Sequence, residues 1–331
     1  MPIITGRENV LAVYEDAAKR GWVLPCICSE NLTTTEAILS AASEFAKEMG
    51  YDRIPITLAI TNQYDHRSQS VFYTSTRRWD IGLELFRSDL EIVSEVFPNV
   101  DVLIHLDHAQ HDTDAELLES DLSMYSSVMY DASSLPMEEN IAKTKAYVQR
   151  KGHELLIEGA CDEIVDATGE ARCEITDAVK CEHYMKETGV DVVVANLGTE
   201  HRASGQDLHY YCDAARAIKE KIGPRICLHG TSSVSNDQIG KLFDDGICKV
   251  NIWTALERDA SPALTEWTVK NAAKCGGPKV EQKLIEEGYL TESSKTGDKS
   301  SLQHFTTTAR QEIIFEEMKK IVRGYLDLWY R

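Results

Sequence analysis

The chain has 331 residues, 43% hydrophobic and 27% charged. That is the balance of a soluble globular protein, long enough for one barrel of roughly 250 residues with additions or for two smaller domains. Its 35 Lys and Arg against 54 Asp and Glu leave a net charge of −19, which argues against nucleic acid or an anionic membrane as partner but allows a small, locally positive substrate pocket.

Nine cysteines without a C-x-x-C pair point to reduced thiols and a cytoplasmic setting. The N-terminus carries no basic-then-apolar signal pattern, and no stretch nears the roughly 20 apolar residues of a membrane span.

Short apolar or β-branched runs alternate with amphipathic stretches along the chain. Strands are expected at residues 23–28, 55–61, 102–106, 127–130, 155–158, 192–195, 225–228 and 248–252. Helical spacing appears at 35–49, 138–151, 177–188, 208–221 and 235–244, several opening on Ser, Thr or Asp caps. Strand followed by helix, eight times, is the pattern of a (β/α)8 TIM barrel in one domain, residues 1–331; a doubly wound open sheet is the alternative. Residues 62–95 form an elaboration after the second strand, whose first part, 62–78, is a polar, basic βα loop. Residues 270–331 form a C-terminal extension that ends in a helix over 312–329. The apolar end of that helix, Leu326 to Tyr330, offers a surface for an interface between subunits.

The chemistry concentrates at strand ends. His108 follows the third strand, His201 the sixth and His229 the seventh. Active sites of such barrels lie at the C-terminal ends of the strands, so the three imidazoles converge as a catalytic zinc site with one open position. Asp107 beside His108 is the candidate general base: zinc polarises a carbonyl and the carboxylate takes the α-proton. His105, two residues earlier, points to the same side of the strand and packs or supports the site. His66, His111, His153, His183, His209 and His304 read as solvated or packing residues. Glycine and hydroxyl turns after the last three strands (Gly198-Thr199, Gly230-Thr231-Ser232 and Asn251 to Thr254) suit phosphate.

Five segments carry a family resemblance: VLIHLDHA at 102–109, VMYDASSLPMEENIAKTK at 128–145, ANLGTEH at 195–201, ICLHGTSS at 226–233 and KVNIWT at 249–254. In this order they resemble the class II, zinc-dependent ketose-bisphosphate aldolases, the fructose- and tagatose-bisphosphate enzymes. The resemblance implies His108, His201 and His229 as zinc ligands and Asp107 as the proton-transfer residue. It places Asn251 on the donor, Asn31 near the first-strand asparagine of the family, and Gly198, Gly230, Thr231, Ser232 and Thr254 around a phosphate. Asp131 and Glu158 match acidic residues of a second metal position. The implied reaction is reversible cleavage of a ketose phosphate to a zinc-stabilised enediolate, resembling that of dihydroxyacetone phosphate, and an aldehyde. Zn2+ or another divalent transition metal is the implied cofactor, a sugar phosphate the small-molecule partner, and a homodimer or homotetramer the implied assembly.

The departures fall on the substrate side. Ala160 stands where the family has a second Glu, and the segment after His201 lacks the family's Lys, leaving Arg202 as a replacement cation. Thr231 replaces a Gly, Ser134 a His, and Ala255 an Asp. Conserved-type chemistry with altered recognition is the reading, with Arg67, Arg77 and Arg78 as candidates for a distal phosphate or acid group. A metal-dependent hydrolase or isomerase, and a non-catalytic sugar-phosphate-binding relative, are the competing readings.

Overall fold

The computed structural model describes residues 3–163, 174–200 and 209–330. Its strands are β1 (Leu24–Cys28), β2 (Ile54–Thr61), β3 (Val100–Gln110), β4 (Ser127–Asp131), β5 (Leu156–Ala160), β6 (Val192–Val194), β7 (Ile226–Leu228) and β8 (Ile247–Ile252). They pair in sequence order, all parallel, and β1 closes on β8, giving the expected (β/α)8 barrel. Most strand residues are buried on both faces, as a barrel wrapped by helices requires.

Alternate residues on each strand face the barrel interior, so Cys26 and Cys28, one residue apart, share a side. The interior is layered. At its base Val10, from the helix Arg7–Arg20, joins Leu103, Met129, Leu156, Val194 and Cys227 in one buried cluster. Above this lie His105, Glu158 and Lys249, each fully buried, and above them the C-terminal mouth. The larger apolar cluster lies between the outer barrel wall and the helices.

One expectation fails and another is narrowed. Residues 235–244 hold only a single 3-10 helix, Ile239–Lys241, among turns, because Gly240 and the Asn-Asp pair at 236–237 favour turns over a continuous helix. The apolar end of the helix Thr307–Trp329 is largely spent within the chain: Leu326, Trp329 and Tyr330 are buried there, and Leu328 is left exposed. The Tyr330 ring stacks on Trp22 at 4.5 Å and its hydroxyl donates to the Pro55 carbonyl at 2.8 Å, so the C-terminus closes over β1 and β2.

Several helices lie where none is expected, the two longest being Arg7–Arg20 and Thr254–Lys270. Arg7–Arg20 carries Glu8 in its first turn, Lys19 and Arg20 in its last, and a left-handed Gly21 cap. Thr254–Lys270 starts directly off β8. The elaboration after β2 contains a helical turn, Gln69–Phe72, and the helix Trp79–Ser94.

Candidate active site

A cleft of about 610 Å³ opens at the C-terminal mouth of the barrel. Asp107 and His108 from β3, His229 after β7 and Asn251 on β8 line its floor. Gly230, Thr231, Ser232 and Thr254 line one side; Cys28, Tyr64, His66, Arg67, Gln69 and Trp253 line the rest.

A β-bulge aims the floor. His105 and Leu106 pair with Ser127 and Val128, but the ladder resumes only at Ala109 opposite Tyr130. The extra residue falls at the Asp-His pair, and His108 takes a left-handed φ of 46°. Neighbours on a regular strand face opposite sides; here the bulge turns both side chains to the cleft.

The imidazoles are held by carboxylates. His108 Nδ1 lies 2.8 Å from Asp131 Oδ2, and His229 Nε2 lies 3.2 Å from Glu158 Oε1. Each carboxylate accepts the N–H it faces, which fixes the tautomer. The remaining nitrogens, His108 Nε2 and His229 Nδ1, then converge lone pair to lone pair at 3.0 Å. Facing nitrogens at that distance are satisfied in one of two ways, by a proton that one imidazole donates to the other or by a cation that both ligate. Two nitrogens on a tetrahedral zinc sit roughly 3.3 Å apart, given Zn–N bonds of about 2.0–2.1 Å. The donor set therefore fits a divalent metal of zinc type, with one Asp107 oxygen within 4.8 Å of both nitrogens. Tyr64 stacks flat on His108, ring centroids 4.2 Å apart.

Asp107 is held by Asn251, whose Nδ2 donates to Oδ1 at 2.8 Å, and by the Cys28 thiol, 3.5 Å from Oδ2. Burial pushes its carboxyl pKa up, but His108, His105 and His229 draw it well below the usual range. It is a carboxylate in this site. Burial lowers the His229 pKa, aided by His108; burial also lowers His108, but Asp107 and Asp131 outweigh it and the net shift is upward. Asn251 Oδ1 and Thr199 Oγ1 are buried without a hydrogen-bond partner among the described residues.

Beneath the floor, Lys249 Nζ lies 2.5 Å from Glu158 Oε2 and 3.2 Å from His105 Nε2, while His105 Nδ1 meets Ser127 Oγ at 2.8 Å. His105 Nε2 stands 3.7 Å from Asp107. Lys249 thus steadies the carboxylate that orients His229, a role the sequence reading did not single out.

The other candidates divide. Gly230 (φ 69°) begins a 3-10 turn over Thr231–Ser233, and Ser233 Oγ ties that turn to Glu200. Gly198 (φ 84°) packs against the Tyr211 ring and does not line the cleft. Asn31 caps the helix Leu32–Met49, accepting from the Thr33 and Thr34 amides, and is exposed. Arg67 lies in the cleft wall but is forked onto Glu30, with Nε 3.1 Å from both oxygens. Arg78 pairs with Asp80 and Arg77 sits over the Phe72 ring; neither lines the cleft. His201 and Arg202 lie outside the described residues. The cleft wall also holds His66, read from the sequence as solvated or packing, and Trp253, read only as part of the Asn251 to Thr254 turn, with Glu30 behind. Their signal was position: Glu30 and Trp253 stand two residues beyond Cys28 and Asn251, on the same side of their strands.

A closed parallel barrel with paired imidazoles, a carboxylate and a phosphate-suited turn at its C-terminal mouth defines a TIM-barrel enzyme. Residues 8–323 match the family model "Fructose-bisphosphate aldolase class-II". The chain is similar to fructose-bisphosphate aldolase of Staphylococcus aureus, 26% identical over 94% of this chain and 99% of that one. It is also similar to the D-tagatose-1,6-bisphosphate aldolase subunit GatY of Klebsiella oxytoca, 24% identical over 82% of this chain and 88% of that one. The fold matches the crystal structure of fructose-bisphosphate aldolase from Campylobacter jejuni with a TM-score of 0.74 at 17% identity, covering 99% of this chain and 95% of that one. The chain belongs to the class II fructose-bisphosphate aldolase family and is an enzyme of the lyase class. Among the described residues no helix is long and apolar enough to cross a membrane.

Proposed function

We propose that the chain catalyses reversible, metal-dependent aldol cleavage of a ketose phosphate. The observation that carries this reading is the 3.0 Å convergence of His108 Nε2 and His229 Nδ1 beside the Asp107 carboxylate. His108 and His229 would hold the metal, with His201 as the further ligand that the sequence motif supplies. When bound, such a metal polarises a ketone and stabilises the charge that develops on its oxygen.

The chain's own groups do the rest. Asp131 and Glu158 keep the imidazoles oriented. Asp107, ionised and fixed by Asn251, removes and returns the proton at the donor's α-carbon. Asn251 Oδ1, buried and unpartnered among the described residues, is placed to accept from a donor hydroxyl. The donor phosphate is assigned to the turn at Gly230, Thr231 and Ser232 and to Thr254, which opens a 17-residue helix whose N-terminus favours an anion.

The experiment is retroaldol turnover on a panel of ketose mono- and bisphosphates, before and after chelation. Release of dihydroxyacetone phosphate, lost with chelator and restored by zinc, is the expected result. Full turnover after complete metal removal would sink the metal-dependent reading; no cleavage anywhere, with zinc demonstrably bound, would sink the ketose-phosphate assignment.

A further inference from the structure

The wall of the cleft on the β8, β1 and β2 side is built from a ring and a matched ion pair. Asn251 and Cys26 are partners in the β1–β8 ladder, as are Ile252 and Ile27. Glu30 and Trp253 therefore follow the ends of adjacent strands. The Trp253 indole N–H donates to Glu30 Oε1 at 2.7 Å, and its ring rests on the small side chains Cys26, Cys28 and Ala59. Arg67, reaching back from the loop after β2, forks onto the same carboxylate, and Gln69 Nε2 donates to it at 3.3 Å. Gln69 is itself fixed, accepting from the Thr61 amide at 2.9 Å. The Arg67 guanidinium also covers the Phe72 ring, 4.6 Å from its centroid.

This wall is opposite in character to the turn assigned to the donor phosphate. The Arg67 charge is answered by Glu30, and Glu257, one turn into the helix after Trp253, is a second carboxyl close to both. A phosphate arriving here would have to displace a fixed, largely desolvated carboxylate from its arginine, a costly exchange. A neutral, hydroxylated carbon chain would not. Its C–H faces pack on the indole, and its hydroxyls can donate to Glu30 and accept from Arg67 or Gln69.

We infer that Trp253 and the Glu30–Arg67 pair form the acceptor-side subsite, and that it selects an aldehyde with an uncharged, polyhydroxylated tail. The substrate class is then a ketose phosphorylated at the donor end alone. This rests on the aldolase reading above.

The test uses the purified full chain with zinc and dihydroxyacetone phosphate as donor. Condensation with glyceraldehyde, threose and erythrose is compared with glyceraldehyde 3-phosphate as kcat/KM. Solvent deuterium exchange into the donor, without aldehyde, is read in parallel. The wild type is expected to favour the neutral aldehydes. Trp253→Ala should lower their kcat/KM about tenfold beyond any change in donor exchange; Trp253→Phe, which keeps a ring, should retain the preference. Glu30→Gln, which removes the carboxylate that Arg67 forks onto and leaves only Glu257 near it, should shift preference toward glyceraldehyde 3-phosphate by about tenfold. A wild-type preference for the phosphorylated aldehyde, or equal losses in condensation and exchange for Trp253→Ala, would overturn the subsite. Absence of donor exchange in the wild type would sink the aldolase reading and this one with it, whereas exchange without the neutral preference would sink only the subsite.

Discussion

Asp107 and His108 are adjacent in sequence yet face the same cleft, because the β3 ladder slips between Leu106 and Ala109 and His108 adopts a φ of 46°. The carboxylate proposed as the base and an imidazole proposed to hold the metal are thereby delivered by one peptide unit. Their roles separate on mutation. Asp107→Ala should abolish α-proton exchange in dihydroxyacetone phosphate while zinc content stays near wild type. His229→Ala should lose zinc as well as exchange. Metal analysis beside exchange monitored by NMR checks both, and exchange surviving in Asp107→Ala would remove it as the base.

The Lys249–Glu158 pair is a fully buried ion pair beneath the site. Both side chains are fully buried, and Glu158 is ionised: burial pushes its pKa up, but Lys249 and His229 hold it well below the usual carboxylate range. Lys249→Met preserves bulk but strands the carboxylate. The expected loss is about 3–5 kcal/mol in urea unfolding, the cost typical of breaking a buried pair from one side. The double variant Lys249→Met, Glu158→Gln should recover much of it. A loss under about 1 kcal/mol for the single variant would show that the charge is compensated elsewhere.

The strands were legible because each is a short apolar run ended by turn-forming residues, and the sequence boundaries fall within two residues of the structural ones except in β3. There the pattern ran to Leu106, whereas β3 continues to Gln110, since polar site residues break the apolar run while the backbone stays paired. Strand-end position marked His108 and His229, and the family resemblance marked Asn251. The bulge was illegible, since nothing local distinguishes Asp-His in a regular strand from Asp-His in a bulge. The pairing of Glu30 with Trp253 was missed for another reason: its meaning is a contact made across 223 residues. Of the two long helices that went unexpected, Thr254–Lys270 has weak apolar periodicity and holds an internal Pro262, and Arg7–Arg20 is no more periodic than Ala178–Thr188, which was expected.

Glu257 gives a pH signature. Burial, with Glu30 adding to it and Arg67 opposing, pushes its carboxyl up to about 7. Its Oε1 finds no hydrogen-bond partner among the described residues. A carboxyl raised in the folded state binds a proton there that the unfolded chain, with a pKa near 4.3, releases. Its contribution is therefore most favourable at low pH and declines as pH rises through the window from about 4.3 to 7. Glu257→Gln should remove that decline. The variant should gain up to about 3 kcal/mol over wild type at pH 8, and the gain should shrink toward pH 5. Urea denaturation at several pH values measures it, and a pH-independent difference would refute the assignment.

Gly230 tests the phosphate turn. Its φ of 69° is a left-handed conformation, and a Cβ there would lie 2.8 Å from both the amide nitrogen and the carbonyl oxygen of Glu200. These are backbone atoms, so the neighbour cannot rotate aside. Gly230→Ala must move either the turn after β7 or the segment ending β6, and the Ser233 bonds to Glu200 join the two. The expected stability loss is about 1–3 kcal/mol, from strain at the left-handed position and the close approach. The effect on function should be selective, because Gly230 follows His229 directly and the shifted turn is the part assigned to the donor phosphate. KM for a ketose 1-phosphate should rise about tenfold or more, while the unphosphorylated ketose, already lacking that contact, should lose much less. Steady-state kinetics on the matched pair decides it: equal losses on both would mean that the turn serves only to place His229.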